Sequence, residues 1–244
     1  MDTSHKVLIT GTGRAGTTFL VRLLTELGLD TGYTVEEAQR GVDVHCRAGL
    51  EHELPRSKAT IRDWVRQPKH MIRSLWREAP PTPYIIKNPA LCDTLGEIIA
   101  NQRFVFDHVY IPLRDLEEAA LSRARVGGLN GTKPGGLWKT SDSRQQKAVL
   151  AEMFFRLVHT LAIYEVPHTF LLFPRLVEDW AYTYAKMSFL VHDIDREIFR
   201  AAFARVADPN LVHRFATATE PRRPVAPAKP LFLRNWRARP MSAG

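Results

Sequence analysis

An α/β protein built on a parallel sheet with helices on both faces is the fold that the sequence predicts, and three observations predict it. Four short apolar runs of strand length punctuate the chain, segments of helical period lie between them, and a glycine-rich turn joins the first run to the first helix. The chain of 244 residues, 45% of them hydrophobic, is long enough for one sizeable core. We read residues 1–219 as that domain and 220–244 as a basic tail rich in proline and arginine.

The first strand is expected over residues 6–10 (KVLIT), an uninterrupted apolar run that suits a strand buried on both faces. The turn from Gly11 to Gly16 (GTGRAG) follows, and then a helix over 17–27 that places Phe19, Leu20, Leu23, Leu24 and Leu27 on one face. Further strands are expected over 84–87 (YIIK), 109–113 (VYIPL) and 169–173 (TFLLF). Helices are expected over 92–101, 116–126, 144–164 and 177–190, which alternate with the strands as in a doubly wound sheet. Residues 127–143 cluster Gly, Pro, Ser and Thr, which reads either as a lid over a site or as a connector.

A formal charge of +8 favours an anionic partner, and by itself it does not choose among nucleotides, sulfated or phosphorylated substrates, nucleic acid and membrane surfaces. No module of alternating aromatic and basic residues supports nucleic acid, and no apolar run approaches the roughly 18 residues of a membrane span. Cys46 and Cys92 lack metal-ligand spacing and read as reduced thiols, so the expected location is the cytoplasm.

The turn carries the chemistry. Gly11 and Gly16 satisfy the GxxxxG frame of a phosphate loop, in which backbone N–H groups and the start of a helix face an anion. Gly11, Gly13 and Gly16 also satisfy GxGxxG, but a dinucleotide fold wants a strand ending in an acid about twenty residues on, and LGLD before Thr31 makes a poor strand. Thr17 stands where a nucleotide-hydrolysing loop carries lysine, and the nearby cation is instead Arg14.

In this the stretch resembles the phosphosulfate loop of sulfotransferases, whose pattern is [Lys/Arg]-x-Gly-Thr-Thr and which in bacterial members commonly reads GxGRSGTT. Arg14, Gly16, Thr17 and Thr18 match it, with Ala15 in place of the usual serine. The resemblance implies a fold of the phosphate-loop type and a donor, 3′-phosphoadenosine-5′-phosphosulfate (PAPS), leaving as 3′-phosphoadenosine-5′-phosphate (PAP), with no metal. Gly13, Arg14, Ala15, Gly16, Thr17 and Thr18 would hold the 5′-phosphosulfate. The family places an arginine at a later strand end and a serine eight residues on for the 3′-phosphate, and YIPLRDLEEAALSR offers Arg114 and Ser122 at that spacing.

Softer matches extend the resemblance. YIIKNPAL is similar to a strand-end Lys-[Ser/Asp/Thr]-Pro segment beside the acceptor, which makes Lys87 a candidate to face the transferred group. FPRLVEDW resembles a bacterial strand-to-helix segment in which Arg175 is structural, and LFLRNWRAR, with Arg234, Trp236 and Arg237, resembles a basic closing segment without its glycines. The general base is open: Pro89 and Ile86 stand where relatives carry histidine or glutamate, and the carboxylates after the first helix offer Glu37 first, with Glu36, His45 and Glu51 as alternatives. The expected acceptor is a hydroxyl or amine of a small molecule or carbohydrate. Two other readings stand beside this one: a kinase or nucleotide hydrolase with Asp115 or Asp107 on magnesium, and a nucleotide-binding protein without catalysis.

Overall fold

The computed structural model describes residues 4–40, 49–52, 82–100, 104–126 and 136–212. The tail with Arg234, Trp236 and Arg237, His45, and the 127–135 part of the expected lid lie outside the described residues. Four strands, β1 (Ser4–Ile9), β2 (Ile85–Lys87), β3 (Phe104–Leu113) and β4 (His168–Leu172), form one sheet in the order β2-β1-β3-β4. All three pairings are parallel, as the continuous apolar runs require. No helix among the described residues is long and apolar enough to cross a membrane.

Successive side chains of each strand feed two cores. On one face Val7, Ile9, Ile85, Tyr110 and Leu171 pack against α1 (Thr17–Glu26) through Leu20, Leu23 and Leu24. On the other, Leu8, Ile86, Val109 and Ile111 pack against Leu95 and Ile98 of α3 (Leu95–Ala100) and Met153, Leu157 and Leu161 of α5 (Gln146–Ile163). Between these helices lie α2 (Val35–Arg40) and α4 (Leu116–Val126), the latter set on α5 through Ala119, Ala120 and Leu150. The doubly wound arrangement expected from the strand composition is the one observed.

Where element bounds depart from expectation, local chemistry accounts for it. β3 begins at Phe104, because its register against β1 shifts between Lys6 and Val7, where Asp107 is the extra residue. That bulge moves the alternation by one, so Phe104 and Phe106 lie in the same core as Val109 and Ile111. The helix expected over 92–101 starts as a 3-10 turn, Pro89–Asp93, whose Asn88 side chain accepts from the Ala90 N–H.

The helix expected over 177–190 is three short ones, α6 (Arg175–Glu178), α7 (Trp180–Lys186) and α8 (Ser188–Val191). Asp179 breaks it: its backbone is extended, and its carboxylate accepts from the Tyr182 N–H at 2.9 Å as a cap. A last helix, α9 (Arg196–Val206), was not expected; it buries Phe199, Ala202, Phe203 and Val206, and Phe203 meets Phe19 of α1 edge-on at 5.4 Å.

The Asp195 carboxylate starts α9 by accepting from the N–H groups of Glu197 at 2.7 Å and Ile198 at 3.2 Å. Replacing such a cap by alanine costs about 1 kcal/mol. Asp195→Ala should lower the free energy of urea unfolding by that amount with the m-value unchanged, and an unaltered midpoint would show that the cap contributes nothing.

Candidate active site

At the C-terminal end of β1 the chain turns through the glycine-rich loop into α1. Gly13 and Gly16 lie in the left-handed region, at φ 70° and 90°. A Cβ on Gly13 would stand 2.5 Å from a guanidinium nitrogen of Arg123, and one on Gly16 would stand 3.1 Å from Leu176. Glycine is therefore favoured at both for conformation, and at Gly13 a side chain would in addition have to displace the Arg123 guanidinium. Gly16 caps α1 without a side-chain hydrogen bond, and the first turn holds no acidic residue. The side-chain cap and first-turn carboxylate that would otherwise engage its leading N–H groups are thus lacking, as at helix starts that take an anion. Ala15 and Thr17 are buried beneath the turn.

Arg14 adopts a left-handed backbone as well, at φ 59°, a conformation that costs a non-glycine residue about 1–2 kcal/mol. Two groups from the β3–α4 unit hold it there. Arg114 donates from Nη1 to the Arg14 carbonyl at 3.3 Å, and the Ser122 hydroxyl accepts from Arg14 Nε at 3.1 Å. Arg114 is itself buried over the Phe173 ring, 4.9 Å from its centroid, and donates to Glu118 at 3.0 Å. Burial lowers its pKa while Glu118 and Asp115 raise it. The three residues expected to share one nucleotide are brought together across about a hundred residues of chain.

Lys87, at the end of β2, is the second centre. Its side chain is only 1% exposed, and its ammonium donates to Glu51 Oε1 at 2.7 Å, to Thr18 Oγ1 at 3.1 Å and to the Gly49 carbonyl. Burial lowers the Lys87 pKa, opposed by the Glu51 charge. Glu51 remains 42% exposed, so the pair has one buried cation and one carboxylate that solvent reaches.

His52 fixes the segment that carries Glu51. Its backbone N–H donates to the Lys87 carbonyl at 2.8 Å, its Nδ1 accepts from the Lys87 N–H at 2.8 Å, and its Nε2 donates to the Thr31 carbonyl at 2.7 Å. This is the neutral ring with hydrogen on Nε2.

The other carboxylates are engaged elsewhere. Glu37 forms a capping box at the start of α2, accepting from the Thr34 N–H at 2.8 Å while its own N–H donates to the Thr34 hydroxyl at 3.2 Å. Glu36 is exposed on the same turn. Asp115 accepts from the N–H groups of Glu117 and Glu118 and so caps α4. Asp107 sits in the bulge of β3, bonded to His5 at 2.6 Å and to the Tyr84 hydroxyl at 2.9 Å, toward the end of the sheet away from the loop. Both carboxylates are engaged by groups outside the loop.

No protein-family model matches the chain, and no curated protein matches it. Among solved structures it is similar to a sulfotransferase domain from the Synechococcus PCC 7002 olefin synthase, at 17% identity and a TM-score of 0.43, with 85% of this chain and 82% of that one covered. It is also similar to a sulfotransferase domain from the curacin biosynthetic pathway, at 14% identity and a TM-score of 0.42, covering 86% and 77% respectively.

Burial lowers the His52 pKa from 6.5, with the Thr31 and Lys87 backbone bonds opposing it. Between that lowered value and 6.5 the unfolded chain binds more protons than the native one, so stability falls as the pH drops through this window. In His52→Asn the side-chain oxygen takes the place of Nδ1 without titrating. Wild type should lose stability relative to that variant between about pH 7 and 5 in urea unfolding; parallel losses would remove His52 from the acid response.

Proposed function

We propose that this chain is a sulfotransferase that moves a sulfuryl group from PAPS to a hydroxyl or amine of a small-molecule or carbohydrate acceptor, releasing PAP. The observation that carries the reading is the convergence of Arg14, Arg114 and Ser122 at a helix start left open by its glycine cap. Loop, strand-end arginine and helix serine were each expected from the sequence for one bisphosphorylated nucleotide, and a single contact set joins them. The first-turn N–H groups with Thr17 and Thr18 suit the 5′-phosphate, and Arg114 with the Ser122 hydroxyl suits the 3′-phosphate.

In the reaction the acceptor oxygen or nitrogen forms a bond to sulfur as the bond from sulfur to the 5′-phosphate oxygen breaks. The electron pair of that bond stays on the phosphate oxygen, and the acceptor proton must leave. Glu51 is the carboxylate placed to take it, because it is half exposed while held at 2.7 Å by Lys87. Glu51 therefore replaces Glu37 as the first candidate for the base. Arg14 and Lys87 supply fixed positive charge for the charge that develops on the leaving oxygen and the transferred group. The opposing reading, a magnesium-dependent phosphotransferase, finds no support in Asp107 or Asp115, whose carboxylates hold other groups.

Calorimetry should show PAP binding in the absence of magnesium, and Arg114→Ala should weaken it roughly 10- to 150-fold, the equivalent of about 1.5–3 kcal/mol for a charged hydrogen bond. Binding of ATP with magnesium in place of PAP would sink the reading. In an assay of sulfuryl transfer to a panel of hydroxyl and amine acceptors, Glu51→Gln should slow turnover about 100-fold or more and leave PAP affinity intact; undiminished turnover would dismiss Glu51 as the base.

A further inference from the structure

Arg123, next to Ser122 on α4, has no part in the reading above, yet it is one of the most deeply buried charges among the described residues, at 3% exposure. It donates from Nη2 to the Thr12 carbonyl at 2.6 Å, inside the phosphate loop, and from Nη1 to the Gly136 carbonyl at 2.8 Å, just beyond residues 127–135. Its guanidinium plane lies 4.1 Å from the centre of the Trp138 ring. Its Nε is buried with no hydrogen-bond partner. Among the described residues its contacts are carbonyls and a ring rather than a carboxylate, which leaves the cation short of negative charge beside a loop shaped for an anion.

The segment that Arg123 reaches is itself fixed at successive points. The Trp138 N–H donates to the buried Gln146 side chain at 2.6 Å, and the Lys139 ammonium pairs with Asp93, which also accepts from Arg156 at 3.3 Å. On the loop side, a guanidinium nitrogen fills the space where a Gly13 side chain would start. One planar fork thus touches Thr12, Gly13, Gly136 and Trp138 at once. A lysine cannot reproduce this, since a single ammonium does not span two carbonyls and stack a plane on a ring.

We infer that Arg123 is a positioning residue that sets the shape of the phosphate loop and couples it to the 136–139 segment, so that the two order together and an anion in the loop stabilises both. The inference rests on the loop being a phosphate site. Arg14 lies close enough to depress the Arg123 pKa further after burial has done most of it, to about 10, so two neighbouring cations gain when an anion arrives.

The test pairs hydrogen exchange of the ligand-free protein with calorimetric PAP binding, in wild type, Arg123→Met and Arg123→Lys. Arg123→Met should raise exchange in both 11–18 and 136–140, leave the sheet peptides 104–113 and 168–172 protected, and weaken PAP at least tenfold. Arg123→Lys keeps the charge, so it should recover part of the affinity while both segments still exchange faster than in wild type. Unchanged exchange, or faster exchange in one segment alone, overturns the coupling, and wild-type PAP affinity in the methionine variant overturns the positioning role. Failure of wild type to bind PAP sinks the donor reading instead, and the exchange data then decide the coupling without it. If the methionine variant loses protection across the sheet, the lysine variant carries the same comparison.

Discussion

The glycine-rich loop is bound at several points by a unit about a hundred residues away in the sequence. Arg114, Ser122 and Arg123 belong to one strand end and one helix, and they reach the Arg14 carbonyl, the Arg14 guanidinium and the Thr12 carbonyl respectively. Parallel pairing makes this possible: with Ile9 beside Tyr110, β1 and β3 run the same way and β3 ends at Leu113, shortly past the end of β1, so the chain after β3 comes back beside the loop after β1. The left-handed backbone at Arg14 is tolerated because both ends of the residue are tied. Desolvating guanidinium groups is costly, so the arrangement persists only where carbonyls, a carboxylate or an aromatic face meet them, as Glu118 and Phe173 do for Arg114 and Trp138 does for Arg123.

The Lys87 centre is built on the same sheet by a different device. Residues 49–52 lie along the outer edge of β2, latched by the two-way pairing of His52 with Lys87, and this carries Glu51 to the lysine. Burying an ammonium costs several kcal/mol, which three acceptors around Lys87 offset. Thr18 is the joint between the halves, since its hydroxyl accepts from Lys87 and donates to the Gly49 carbonyl at 3.3 Å from the first turn of α1. A displacement of α1 therefore reaches both centres.

What could be read in the sequence divides along the distance over which each feature is encoded. The strand, glycine turn and helix that open the chain are local and were legible, as was the spacing of eight residues from Arg114 to Ser122. Helix α9 has a local signal too, in Asp195 as cap and the period of Phe199, Ala202, Phe203 and Val206. The first half of β3 was hidden because its bulge puts Asp107 and His108 in the middle of an apolar alternation. The pairing of Glu51 with Lys87 and the latch of His52 have no signal in spacing, since they arise only when residues 49–52 lay against β2. Glu37 looked equally suitable as a carboxylate, and its use in a capping box was itself readable from Thr34, three residues before it.

The hydroxyls of Thr18 and Ser122 differ in what they have left to give. A hydroxyl donates once and accepts twice. Thr18 uses its hydrogen on the Gly49 carbonyl, so it serves an anion only by turning away from that contact. Ser122 accepts from Arg14, a bond that leaves its own hydrogen uncommitted. It can therefore hold the guanidinium and donate to an anion oxygen at the same time, with no contact exchanged for another. In the proposed PAPS site, a serine that anchors the loop cation and still offers its hydrogen would make the placement of Arg14 and the reception of the anion parts of one bonding arrangement, and so organise for phosphate a loop without the usual lysine.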